Sequence, residues 1–102
     1  MYSTEIKNII PIIRQYLTNQ PVDYAYLFGS CSRGEETKNS DIDLLVRYTN
    51  PDQISLLDIS RMMVNLSKQI HRKVDLVEED SLADFARPYV NQDKIKIYER
   101  TH

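Results

Sequence analysis

The chain of 102 residues holds only two glycines, and both fall in one short stretch, at Gly29 and Gly34. Glycine is the residue that takes left-handed backbone, or lets another group approach closely, at no steric cost. A chain so built must gather its unusual backbone in the segment after Phe28. Everything else has to come from ordinary helices, strands and turns.

Hydrophobic spacing divides that remainder. Ile6, Ile9, Ile10, Ile13 and Leu17 recur at helical intervals, so a helix capped by Ser3 or Thr4 is expected to run to about Asn19. Pro11 falls inside the pattern, removes a backbone hydrogen bond and is expected to kink or split the helix. Val22 to Phe28 is aromatic and aliphatic, as in a mostly buried strand. Gly29 to Ser40 reads as a polar loop, and Ile42 to Tyr48 as a second strand. Thr49-Asn50-Pro51-Asp52 ends that strand and opens a helix expected over about Asp52 to Ile70, with Leu56, Ile59, Met63, Leu66 and Ile70 as its apolar stripe. Lys73 to Glu78 reads as a third strand, Leu82 to Val90 as a short helix, and Ile95 to Tyr98 as an edge strand or a tail. Two strands joined by one loop, and a third reached through a helix, imply an α+β fold. A small mixed β-sheet with helices packed on it is expected, as a single domain over residues 1–102.

Composition suits that reading and narrows the function. Hydrophobic residues at 41% and charged residues at 27% are ordinary globular values. Thirteen basic against fifteen acidic side chains leave a net charge of −2, so no direct nucleic-acid binding over a broad basic face is expected. The single cysteine, Cys31, excludes an intramolecular disulfide. No apolar run approaches the ~20 residues that cross a bilayer, and no secretory signal pattern is present, so a cytoplasmic protein with no membrane association is expected.

Chemistry concentrates around the glycine-bearing loop. Asp41 and Asp43 stand two apart at the start of a strand, so both project to one face while Ile42 and Leu44 point into the core. Two carboxylates brought together repel unless a proton or cation lies between them, and a hard divalent ion such as Mg²⁺ relieves that repulsion. Taken alone, the pair also fits a solvated turn. Gly29-Ser30 follows a buried strand, where backbone N–H groups and the serine hydroxyl can hold phosphate oxygens. Arg33 and Lys38 add positive charge beside it. Asp75, between Val74 and Leu76, joins the two aspartates if its strand neighbours theirs. Three acids can hold two metal ions, one activating an attacking hydroxyl and the other steadying a leaving pyrophosphate.

Gly29-Ser30, Arg33-Gly34, Ser40-Asp41-Ile42-Asp43-Leu44 and Val74-Asp75-Leu76 together resemble a minimal nucleotidyltransferase of the DNA polymerase β superfamily. The resemblance implies the polymerase β-like fold, with Gly29, Ser30, Arg33 and Ser40 at the nucleoside triphosphate. It implies Asp41, Asp43 and Asp75 as catalytic and metal-binding residues, two Mg²⁺ ions as cofactors and ATP as substrate. It further implies a helical HEPN-type toxin as partner, with this chain as antitoxin adenylylating a tyrosine of the toxin. Two departures stand out: Cys31 where many relatives carry arginine, and His71 where glycine is common. The competing reading is a non-catalytic binding module that neutralises or scaffolds a partner. Transfer to an aminoglycoside-like hydroxyl ranks below both.

Overall fold

The isoleucine ladder folds as helix α1, Thr4–Leu17, which buries Ile6, Ile9, Ile10, Ile13 and Leu17. The computed structural model describes residues 4–29, 41–81, 87–88, 92 and 94–100. Ser3, one of the two expected caps, lies outside them. Pro11 does not split α1. It stands on the exposed side of the helix, where water can satisfy the carbonyl that loses its amide partner. The helix ends two residues before Asn19, with the Thr18 amide and hydroxyl both donating to the Arg14 carbonyl at 3.1 and 2.8 Å.

Among the described residues four strands follow: β1, Val22–Phe28; β2, Ile42–Tyr48; β3, Val74–Glu78; and β4, Ile95–Glu99. They form one sheet in the order β3-β2-β1-β4. β1 runs antiparallel to β2 and β4, whereas β2 and β3 are parallel. The sheet is therefore mixed, as expected, and Ile95 to Tyr98 belongs to an edge strand rather than a tail. A parallel neighbour cannot be reached by a tight turn, so the chain crosses over through a helix.

That helix, α2, spans Leu56–Ile70 and begins later than expected. Pro51–Gln53 forms a separate 3₁₀ turn, Ile54 is extended, and Ser55 caps the helix. The Ser55 hydroxyl accepts from the Asp58 amide while the Ser55 amide donates to the Asp58 carboxylate, both at 3.1 Å. This reciprocal capping box satisfies two amides that the first helical turn would leave unpaired. The buried stripe also differs from the expected one, with Met62 rather than Met63 inside. Met62, Leu66 and Ile70 are buried and Ile59 packs against the core, whereas Leu56, expected inside, is 83% exposed. The expected helix over Leu82 to Val90 lies almost wholly outside the described residues, with helical backbone at Arg87 and Pro88.

α1 and α2 pack on one face of the sheet. Their buried side chains meet Ala25 and Leu27 of β1, Ile42, Leu44 and Val46 of β2, Val74 of β3 and Ile97 of β4. The odd-numbered residues of β2 consequently face the other way. On that second face, the Tyr24 hydroxyl donates to the Glu79 carboxylate just beyond β3. Burial first, and Glu79 second, push the Tyr24 hydroxyl pKa up to about 12. Among the described residues, no helix is long and apolar enough to cross a membrane.

α2 closes on His71 in left-handed backbone, φ 58°, the position that glycine takes most cheaply. An L-residue pays about 1–2 kcal/mol there, so His71→Gly is expected to stabilise the fold by about 1 kcal/mol in urea titrations. An unchanged or lowered midpoint would contradict the strain. The Asp58 carboxyl is held below its usual 3.8 by the Ser55 amide first, then by the Ser55 side chain and Arg61. Its stabilising effect is complete above pH 3.8 and is lost as the pH falls through the lower native value. The urea-midpoint gap between wild type and Asp58→Ala should therefore narrow below that pH, and a gap independent of pH would argue against the carboxylate's part in the cap.

Candidate functional site

β2 carries alternating faces. Ile42 and Leu44 are fully buried beneath the helices, and Asp43 between them projects from the opposite face. Across the parallel ladder, Ile42 pairs with Val74, Asp43 with Asp75 and Leu44 with Leu76. Paired residues of adjacent strands share a face and sit about 4.8 Å apart. Asp43 and Asp75 are thus neighbours by register, although 32 residues of chain separate their numbers.

The electrostatics agree. The Asp43 carboxyl is pushed above its ordinary range, mostly by partial removal from water, then by the negative charges of Asp75 and Asp41. Lys73 opposes that shift. Its ammonium lies 3.8 Å from an Asp41 carboxylate oxygen in an ion pair open to solvent. Lys73 was absent from the sequence-based set of site residues. Spacing along the chain carries no signal for it: one step before the Ile42–Val74 pair, parallel register sets Asp41 opposite Lys73.

Gly29 completes the described part of the site. It follows β1 with φ +77°, and a Cβ placed there would stand 2.9 Å from an Asp43 carboxylate oxygen. Two constraints therefore exclude a side chain at this position, one from backbone conformation and one from space. The glycine expected to open a phosphate cradle also lies directly against the middle carboxylate.

The sheet order arranges these groups in a row, with Gly29 at the end of β1, Asp43 on the central β2 and Asp75 on the edge strand β3. Ser30, Arg33 and Ser40, expected at the nucleotide, lie outside the described residues, as do Cys31, Gly34 and Lys38. Among the described residues, no three His, Cys, Asp or Glu side chains are gathered as a metal-holding group. The in-register pair is Asp43 and Asp75, with Asp41 engaged by Lys73. Their all-oxygen donor set suits a hard cation such as Mg²⁺, and the charges of Asp75 and Asp41, which after burial help raise the Asp43 pKa, are crowding that a cation relieves.

Comparison with known proteins agrees with this geometry. The family model described as polymerase beta, nucleotidyltransferase, matches residues 7–102. A candidate protein adenylyltransferase of Methanocaldococcus jannaschii is 37% identical over 90 residues, covering 87% of each chain. The solved structure of a candidate minimal nucleotidyltransferase superposes with TM-score 0.76 at 28% identity, covering 93% of this chain and 95% of the other. A toxin–antitoxin crystal structure with AMP-PNP gives TM-score 0.71 at 24% identity, covering 97% and 76%. A tri-AMPylated Shewanella oneidensis HEPN toxin with its MNT antitoxin gives 0.61 at 22%, covering 94% and 71%. At those identities the last two speak for the fold.

Gly29→Ala forces an L-residue into left-handed backbone and drives its methyl group against Asp43. A loss of about 1–2 kcal/mol in urea titrations is expected from the backbone alone. A midpoint equal to wild type would show that Gly29 does not hold this conformation in solution.

Proposed function

The chain belongs to the polymerase beta nucleotidyltransferase family, and from that premise we propose that it transfers AMP from ATP to a tyrosine hydroxyl of a helical HEPN toxin. In this reading it is the antitoxin of a cytoplasmic pair, and the reaction depends on Mg²⁺. The observation that carries the reading is the parallel register that seats Asp75 beside Asp43, with Gly29 against the same carboxylate. Support for the donor and acceptor comes from the relative named as a candidate protein adenylyltransferase and from the AMPylated HEPN toxin of the structural neighbour.

The row across the sheet gives each substrate a side. Gly29, in left-handed backbone at the end of β1, lies against Asp43, and in this reading the triphosphate lies toward β1. β3 is an edge strand among the described residues, and in this reading the acceptor hydroxyl reaches Asp75 from that side. Asp43 and Asp75, with Asp41 beside them, would hold Mg²⁺, which when bound lowers the pKa of the hydroxyl and steadies the departing pyrophosphate. The tyrosine oxygen attacks the α-phosphorus and forms the new O–P bond as the bond to pyrophosphate breaks. The hydroxyl proton leaves to the Asp75 carboxylate, which faces the acceptor side. Lys73 holds Asp41 at the strand start and tempers the negative charge around Asp43.

The test is incubation of the chain with ATP labelled at the α-phosphate, Mg²⁺ and a HEPN protein that co-purifies with it. Label on a tyrosine of that protein is expected. In Asp43→Asn or Asp75→Asn, transfer should fall by at least about 10², with ATP binding largely retained for Asp75→Asn. Full neutralisation of the toxin by the Asp43→Asn, Asp75→Asn double variant would favour the binding-module reading. Undiminished transfer in either single variant would remove the carboxylate pair from the mechanism.

A further inference from the structure

Beside the carboxylate pair, α2 and the start of β3 enclose an open groove of about 460 Å³. Met63, Val64 and Val74 give it an apolar lining, Lys68 and Lys73 add two ammonium groups, and Asp75 lies among its lining residues. Val64 is 49% exposed, and Leu57, seven residues earlier on the same side of α2, is 68% exposed. Two large apolar side chains aligned on one helix face, leading to a groove at the candidate site, form a surface that a partner can cover.

Chemistry narrows what fits. The Val74 amide is already held by the Ser67 hydroxyl at 3.1 Å, so this stretch of edge does not offer that N–H to an added strand. Recognition there falls to side chains. An apolar lining calls for an aliphatic or aromatic group, and the two lysines call for a neighbouring carboxylate. Lys73 is 71% exposed along its side chain, so its charge stays available to a ligand although it also meets Asp41.

We propose that this groove seats the acceptor-bearing segment of the partner protein, in which an apolar residue and an acidic residue flank the modified tyrosine. The apolar side chain enters beside Met63 and Val64, the acidic one meets Lys68, and the tyrosine hydroxyl arrives at Asp75 from the open edge. This rests on the acceptor assignment made above and adds to it the surface and the flanking chemistry by which an acceptor is chosen.

The test uses the full chain and dye-labelled synthetic peptides, read by fluorescence anisotropy without nucleotide. One peptide carries tyrosine between leucine and glutamate. A second replaces the glutamate with lysine, and a third replaces the leucine with serine. The first is expected to bind at least about tenfold more tightly than either other peptide, since each loses one contact. Val64→Asp, at an exposed position, should abolish that advantage, and Lys68→Glu should invert the preference between glutamate and lysine. Equal affinity for all three peptides, or wild-type affinity in Val64→Asp, overturns the groove. So does a concentration-dependent dimer in sedimentation that Val64→Asp disperses, because the face would then be covered by a second copy. Labelled ATP separates the two levels. Transfer to tyrosine without regard to flanks sinks the groove alone, whereas selective binding with no transfer to any tyrosine sinks the acceptor assignment alone.

Discussion

The parallel pairing of β2 with β3 is the constraint on which the site depends. Nothing local could bring Asp43 to Asp75, because the loop after β2, the whole of α2 and the turn at His71 lie between them. What joins them is burial. Ile42 and Leu44 on one strand, with Val74 on the other, are drawn under the helices, and the ladder then has one register that keeps all three inside. A slip of one residue would turn those side chains to water and carry the aspartates into the core. The hydrophobic core thus supplies the force that holds like charges together.

That arrangement carries its own cost: burial first, then the charges of Asp75 and Asp41, push the Asp43 carboxyl upward. The molecule offsets part of it with Lys73, whose ammonium meets Asp41 at the mouth of the two strands. Gly29 lies against Asp43 from the other side, its missing side chain leaving the space that the carboxylate occupies. A carboxylate pair confined in this way has a built preference for positive charge, which is the physical property that nucleotidyl transfer requires of such a site.

Much of this was legible in the sequence. Alternation in Ile42 to Tyr48 gave the strand and its faces, the stripe in α1 gave the first helix, and the helix between the second and third strands required a crossover. Where the reading went astray, a local device outweighed a periodic one. Leu56 fits the apolar spacing of α2, yet the capping box of Ser55 with Asp58 starts the helix after the 3₁₀ turn and sends Leu56 to solvent. Pro11 breaks a rule of helix interiors, but on an exposed face the broken bond faces water. Lys73 was missed because its partner is set by register between strands, which spacing along the chain does not display. The nature of the last strand needed the sheet itself, since five residues can pair only if a free edge of β1 is present to receive them.

The central claim is that Asp43 and Asp75 form one cation site beside a nucleotide. Anomalous scattering from crystals of the chain grown with Mn²⁺ and a non-hydrolysable ATP analogue reads that directly. A manganese peak at coordination distance from both carboxylates, with the triphosphate running toward Gly29, is the result this account requires. Manganese bound away from the two strands, or a triphosphate settled on the helical face of the sheet, would contradict it.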